Sequence, residues 1–83
     1  MDSVYIVIEN GESYPTAYKS FWRAALAVKH KHNKILLEEL AECGGDPEGM
    51  CSNVDVPENK SGTTYMYIEK GIHIDIIKLP VLV

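Results

Sequence analysis

The feature that most limits the fold of this chain is one long helical pattern with strand patterns on either side. From Ser20 to Leu40 apolar residues recur every three or four positions, and Gly44-Gly45 then ends the pattern. Before it, Val4 to Glu9 has the apolar character of a strand. A chain of 83 residues has room for a single domain, residues 1–83. The sequence therefore predicts one α+β domain in which one dominant helix packs on a small antiparallel sheet.

The helical stretch is either one helix over about 20–43 or two helices with a break near Asn33. One helix of that length would measure ~36 Å, which is long for so small a domain. The basic residues 29–32 suit the C-terminus of a helix, whereas Glu38 and Glu39 do not. Asn33 could end one helix and cap the next. Both alternatives stay open from the sequence.

The first strand pattern, Val4 to Glu9, is apolar on both of its faces. This indicates a central strand, or a strand whose second face is covered by a partner. Asn10-Gly11 follows directly, and both residues accept the positive φ of a tight hairpin turn. A short edge strand over 12–14 would then end at Pro15.

A second hairpin is predicted near the other end of the chain. Its strands are Thr63 to Glu69 and Ile72 to Leu79, and Lys70-Gly71 joins them. The predicted order of elements is therefore β-(β)-α-β-β. A long polar connection, about 44–62, precedes this hairpin, and a structureless loop of such length is unusual in a compact domain. The connection is either a functional loop or contains a short element, for which Met50 to Val56 is the candidate as an added edge strand.

Composition excludes several classes of function. The net charge is −4, from 12 acidic and 8 basic residues, which argues against a nucleic-acid backbone binder. Membrane spans need ~18–20 consecutive apolar residues, and the sequence has no such run. The first apolar run is too short for the core of a secretion signal. We therefore expect a cytoplasmic protein in which Cys43 and Cys51 are reduced.

The sequence contains no catalytic or metal-binding signature. His73 and Asp75 share one face of their strand, but no serine or cysteine context marks a nucleophile, and a polar row on an amphipathic strand explains them. On a helix, His30 and His32 would lie ~200° apart and could not hold one ion. The cysteine spacing fits none of the usual zinc patterns. We expect no enzymatic activity, no cofactor and no metal.

The tyrosines point to a binding role instead. Tyr65 and Tyr67 share one face of their strand, and they point outward if Met66 and Ile68 point into the core. Tyrosine is favoured at protein interfaces, although these two residues could instead cover the edge of the core. Together with acidic side chains of the connection, they are the predicted contacts with a protein partner. Those acidic residues are Asp46, Glu48, Asp55 and Glu58.

Two further interactions are predicted from apolar and basic residues. The chain ends on an apolar tail, which favours a homodimer formed through the tail or through an edge strand. Its apolar residues are Leu79, Val81, Leu82 and Val83. The alternative function is a homo-oligomeric binder, or sponge, for a small anionic ligand such as a signalling nucleotide. Its pocket at a dimer interface would be lined by Tyr14, Trp22, Arg23 and Lys29.

The arrangement of these segments resembles that of small accessory proteins encoded by bacteriophages. The resemblance covers the strand and turn of 4–11 (VYIVIENG), the capped helix start of 20–25 (SFWRAA) and the hairpin of 65–77. It implies an anti-defence role in a host cytoplasm, either as an inhibitor that blocks a host protein or immune complex, or as a nucleotide sponge. The resemblance is architectural, and it assigns a function to no individual residue.

Overall fold

A computed structural model describes residues 2–82 and confirms the predicted α+β class. Four strands and two helices follow one another in the order β-β-α-α-β-β. The elements are β1 (Ser3–Glu9), β2 (Glu12–Ser13), α1 (Phe21–Lys31), α2 (Asn33–Glu42), a 3₁₀ turn (Pro47–Gly49), β3 (Thr63–Ile68) and β4 (Ile72–Pro80).

The strands form one antiparallel sheet in the order β2-β1-β4-β3. β1 therefore lies inside the sheet, as the apolar residues on both of its faces indicated. The pairing of β1 with β4 sets Ile6 opposite Ile77, and the pairing of β3 with β4 sets Tyr65 opposite Asp75. Because paired residues point to the same side, this register decides which side chains share a face.

Both hairpins turn on two residues with positive φ. Asn10 and Gly11 have φ of 48° and 87°, and Lys70 and Gly71 have φ of 73° and 83°. Such two-residue turns match the right-handed twist of the strands that they join. Asn10 also accepts a hydrogen bond of 2.8 Å on its Oδ1 from the backbone N–H of His73. The first turn is thereby attached to β4 as well as to β2.

The core lies between α1 and one face of the sheet. Ala24, Ala25 and Val28 form the buried side of α1, and the two alanines let the helix approach the strands closely. Ser20 caps the helix, because its Oγ accepts the N–H of Arg23 at 3.1 Å. The strand residues of this core are at most 8% exposed: Tyr5, Val7, Met66, Ile68, Ile74 and Ile76.

The helical stretch is broken, at His32, one residue before the predicted position. His32 has φ −106° and ψ 22°, outside the helical range, and α1 ends and α2 begins around it. Its buried Nε2 donates to Oε1 of Glu9 over 2.6 Å. Of the two alternatives that the sequence left open, the structure has two helices, and the break lies where the chain contacts β1.

Glu9 joins three elements through its carboxylate. Besides His32, it accepts hydrogen bonds from Tyr14 Oη at 2.8 Å and from Lys31 Nζ at 3.3 Å. Burial raises the pKa of this carboxyl, but the hydrogen bonds from His32, Tyr14 and Lys31 outweigh burial. The pKa of Glu9 therefore lies below its ordinary value. Burial, followed by the hydrogen bond to Glu9, raises the pKa of Tyr14.

The connection contains the 3₁₀ turn but not the added strand predicted over Met50 to Val56. What remains of that strand is a single antiparallel bridge between Asn53 and Tyr67. The reason lies in Glu39, whose Oε2 accepts the backbone N–H groups of Cys51 at 2.7 Å and Ser52 at 3.3 Å. The Cys51 amide therefore points toward α2, and the bridge at Asn53 does not extend in that direction.

Candidate interaction surface

The two faces of the sheet differ in what covers them. α1, together with Ile35 and Leu36 of α2 and the valines of the connection, packs on the core side. Within residues 2–82, no helix packs on the opposite side, here called the outer face. Its side chains follow from the register and are Val4, Ile6, Ile8, Thr63, Tyr65, Tyr67, His73, Asp75, Ile77 and Leu79.

Half of the outer face is an apolar strip that spans β1 and β4. Val4 lies opposite Leu79 and Ile6 lies opposite Ile77, and Ile8 extends the row along β1. Leu79 is 43% exposed, and the other four side chains are partly exposed. Aliphatic residues on a sheet face are ordinarily covered by a second layer, and residues 2–82 provide no such layer here.

The other half of the outer face is an aromatic corner made of Tyr65, Tyr67 and His73. Tyr65 Oη lies 2.6 Å from His73 Nδ1, and the rings of Tyr67 and His73 are 5.2 Å apart. Tyr65 is 52% exposed although its hydroxyl is bonded. The corner therefore presents large side chains whose rotamers are already restricted, which lowers the entropy lost when a partner binds.

The imidazole of His73 is hydrogen-bonded to a tyrosine of the aromatic corner. His73 and Asp75 do share the outer face, as expected for alternate residues of a strand. In the described part of the chain, however, the hydrogen bond of the imidazole joins it to the Tyr65 hydroxyl and not to the Asp75 carboxylate. Asp75 lies directly opposite Tyr65 and contributes a negative charge to the edge of the aromatic corner.

Two of the four acidic residues predicted as partner contacts, Asp55 and Glu58, bond to side chains other than Tyr65 and Tyr67. Asp55 pairs with Lys29 of α1, and Glu58 Oε2 accepts the Tyr5 hydroxyl at 2.8 Å, on the core side of the sheet. This hydrogen bond, with burial, raises the pKa of Tyr5. Asp46 Oδ1 accepts the N–H of Glu48 at 3.0 Å and so caps the 3₁₀ turn. Glu48 itself is exposed there.

One chain brings together two of the four residues predicted to bind an anionic ligand. Trp22 and Arg23 line a shallow depression on α1. Tyr14 instead bonds to Glu9, with the Lys31 ammonium 4.6 Å from its ring centroid. Lys29 is paired with Asp55.

The edges of the sheet offer little backbone for pairing with a second copy. Along β1, Tyr5 exchanges two backbone hydrogen bonds with Tyr18, beyond the end of β2. Along β3, Tyr67 exchanges two with Asn53. The backbone N–H and carbonyl of Thr63 are hydrogen-bonded to the hydroxyl of Ser61. The outward backbone groups of Tyr65 are unpaired among residues 2–82.

The residues predicted for the apolar tail lie near the end of the apolar strip. Leu79 is part of the strip, and Val81 donates its N–H to the carbonyl of Asp2 at 3.0 Å. Leu82 is 89% exposed. Val83, also predicted for the tail, lies outside the described residues.

Sequence reasoning selected Tyr65 and Tyr67 but did not include Ile6, Ile77 or His73 among the contact residues. Apolar residues on both faces of the first strand were the available signal, and their outward members form the apolar strip. The rest of the apolar strip lies on β4, and the sequence alone does not show that β4 pairs with β1.

Residues 2–82 contain no three His, Cys, Asp or Glu side chains placed to hold a metal ion. None of the helices in that range has both the length and the apolar character needed to cross a bilayer. Comparison of the chain with protein-family models, with curated proteins and with solved structures finds no match.

Proposed function

We propose that this chain is a small non-catalytic binding protein that contacts a protein partner through the outer face. The observation that carries the proposal is the apolar strip, which lies beside the aromatic corner on a sheet face that no helix of the described chain covers. Protein interfaces combine such an apolar centre with tyrosines and a polar rim.

The dimensions of the outer face suit the centre of an interface. The strands β3, β1 and β4 have six, seven and nine residues. At ~3.3 Å per residue and ~4.8 Å per strand, the face that all three share measures about 20 Å by 15 Å, or about 300 Å². A standard interface buries about 800 Å² on each partner. The outer face would therefore supply the desolvated core of the contact, and the surrounding loops would supply its rim.

Inhibition by direct contact is the form of this function that the phage-type resemblance implies. A rigid face with tyrosines needs no moving parts to block a host protein or an immune complex. The alternative, a pocket for a small anionic ligand, has less support within one chain, because Tyr14 and Lys29 are paired elsewhere.

The proposal is tested by capture of a partner from a lysate of the cells that produce the chain. Ile77→Lys places a charge in the apolar strip, whereas Leu37→Lys makes the same change on α2, where Leu37 is 56% exposed. Wild type and Leu37→Lys are expected to retain one protein in fixed stoichiometry, and Ile77→Lys to lose it. Equal capture by all three folded proteins would rule out the outer face as the contact.

A further inference from the structure

A second exposed surface lies on α1, on the side of the molecule away from the outer face. Trp22 is 68% exposed and Leu26 is 47% exposed, and these two residues are one helical turn apart. With four neighbours they line one shallow depression, here called the α1 face. Its residues are Tyr18, Trp22, Arg23, Leu26, Ala27 and His30.

The charge of the α1 face differs in sign from that of the whole chain. The net charge of the protein is −4, yet the sequence of α1, FWRAALAVKHK, contains no acidic residue. Two of its cations are neutralised within the fold, because Lys29 pairs with Asp55 and Lys31 pairs with Glu9. Arg23 has no carboxylate partner among residues 2–82, so an unpaired guanidinium lies beside exposed apolar side chains.

We propose that the α1 face is a second docking surface, for a segment of a partner protein in which an Asp or Glu adjoins a large apolar side chain. The planar guanidinium of Arg23 can bind a carboxylate through two parallel hydrogen bonds. Trp22 and Leu26 form the apolar wall against which the neighbouring side chain packs. Tryptophan and arginine are also the residue types most enriched where interfaces concentrate their binding energy.

An acidic protein segment fits this surface better than a membrane or a nucleic acid does. Anionic lipid surfaces are recognised by clusters of four to eight basic residues, and nucleic acids by a basic stripe along one face. The α1 face offers one unpaired arginine, on a chain whose net charge of −4 repels polyanions. A single carboxylate with an apolar neighbour matches what Arg23, Trp22 and Leu26 present.

This inference does not depend on the outer face. The core separates the two surfaces, so variants in one leave the other intact. A protein with both surfaces could join two partners, or hold one partner at two places, and the second use would strengthen binding through effective concentration.

The test is a selection of short random peptides, displayed on yeast, against immobilised wild-type protein. Selected peptides are then titrated in solution, with the fluorescence of Trp22 as the reporter, because it is the only tryptophan in the chain. We expect enrichment of peptides that carry Asp or Glu next to an aromatic or aliphatic residue. Arg23→Glu and Leu26→Lys are expected to weaken their binding at least about tenfold, and Arg23→Lys to weaken it less.

Ile77→Lys is the matched control, because it alters only the outer face. It is expected to leave peptide affinity unchanged, and thermal unfolding checks that every variant is folded. The proposal is overturned if the selected peptides show no excess of acidic residues, or if they bind Arg23→Glu as well as wild type. Binding of phosphatidylserine vesicles or single-stranded DNA in preference to the peptides would also overturn it.

Discussion

Replacement of Glu39 by alanine is expected to loosen the connection between α2 and β3 and to destabilise the fold. Glu39 is 3% exposed, and its Oε2 accepts the backbone N–H groups of Cys51 at 2.7 Å and Ser52 at 3.3 Å. Burial raises the pKa of Glu39, but the hydrogen bonds from Ser52 and Cys51 outweigh it and leave the pKa below its ordinary value. The carboxylate is therefore ionised where it binds the connection.

The expected magnitude comes from two opposing contributions. The short bond from Cys51 to a charged acceptor stabilises the fold by ~1.5–3 kcal/mol, and the longer one from Ser52 adds less. Against this, Oε1 of Glu39 is buried without a hydrogen-bond partner in the described chain, and the carboxylate repels Glu69, so its removal recovers part of both costs. The net loss for Glu39→Ala is about 1–2 kcal/mol, which lowers the melting temperature by about 5–15 °C.

Urea unfolding at neutral pH, followed by circular dichroism, measures this loss, and amide hydrogen exchange locates it. Exchange at Cys51 and Ser52 should accelerate more than exchange in β4. Glu42→Ala is the matched control, because Glu42 lies on the same helix and is exposed, and its change should stay within about 0.5 kcal/mol. If Glu39→Ala is as stable as Glu42→Ala, the carboxylate does not anchor the connection and the reasoning is wrong.

Three further predictions concern charge and backbone. Burial and repulsion from Glu39 raise the pKa of Glu69, so ionisation of Glu69 opposes folding. Glu69→Gln should therefore raise the melting temperature at pH 7, and this gain should disappear in acid. An unchanged melting temperature would contradict the repulsion. The pKa of Glu9 is lowered in the folded state, so its ionised carboxylate stabilises the fold at pH values above the ordinary pKa of 4.5. This contribution is lost as the pH falls through the lowered pKa of the folded state. Urea unfolding of Glu9→Gln should therefore show lower stability than wild type at pH 7 and a smaller decline below pH ~4.5, whereas parallel profiles would exclude the assigned contacts. Gly11→Ala places a side chain at φ 87° and should destabilise the fold by about 1 kcal/mol, whereas no change in the denaturation midpoint would argue against the tight turn.

Local chemistry made much of this fold predictable. Asn10-Gly11 and Lys70-Gly71 indicate turns because of the φ values that those residues accept, and the structure has turns at both places. Alternation along 63–79 separated the buried from the outward side chains of β3 and β4 correctly. The side chains of Thr16 and Ser20 both suit a helix cap, and the structure has the cap at Ser20. Each of these features is decided within a few residues of sequence.

Contacts between distant residues decided what the sequence left open. His32 ends α1 where it meets Glu9, 23 residues earlier in the chain. Glu39 holds the Cys51 amide toward α2 through a contact across 12 residues, and the bridge at Asn53 does not extend in that direction. Tyr65 and Tyr67 could be selected as outward residues from β3 alone. The apolar strip beside them depends on β1 pairing with β4.

The most direct test of the proposed binding role is site-specific photo-crosslinking in the cells that produce the chain. A benzoylphenylalanine at position 65 replaces an exposed tyrosine of the outer face, and the same group at position 37 probes exposed α2. The account predicts one defined crosslinked protein from position 65 that is absent from position 37 and disappears when Ile77→Lys is added. Crosslinking from position 37 alone, or a product from position 65 that survives Ile77→Lys, would contradict the assignment of the outer face as the contact surface.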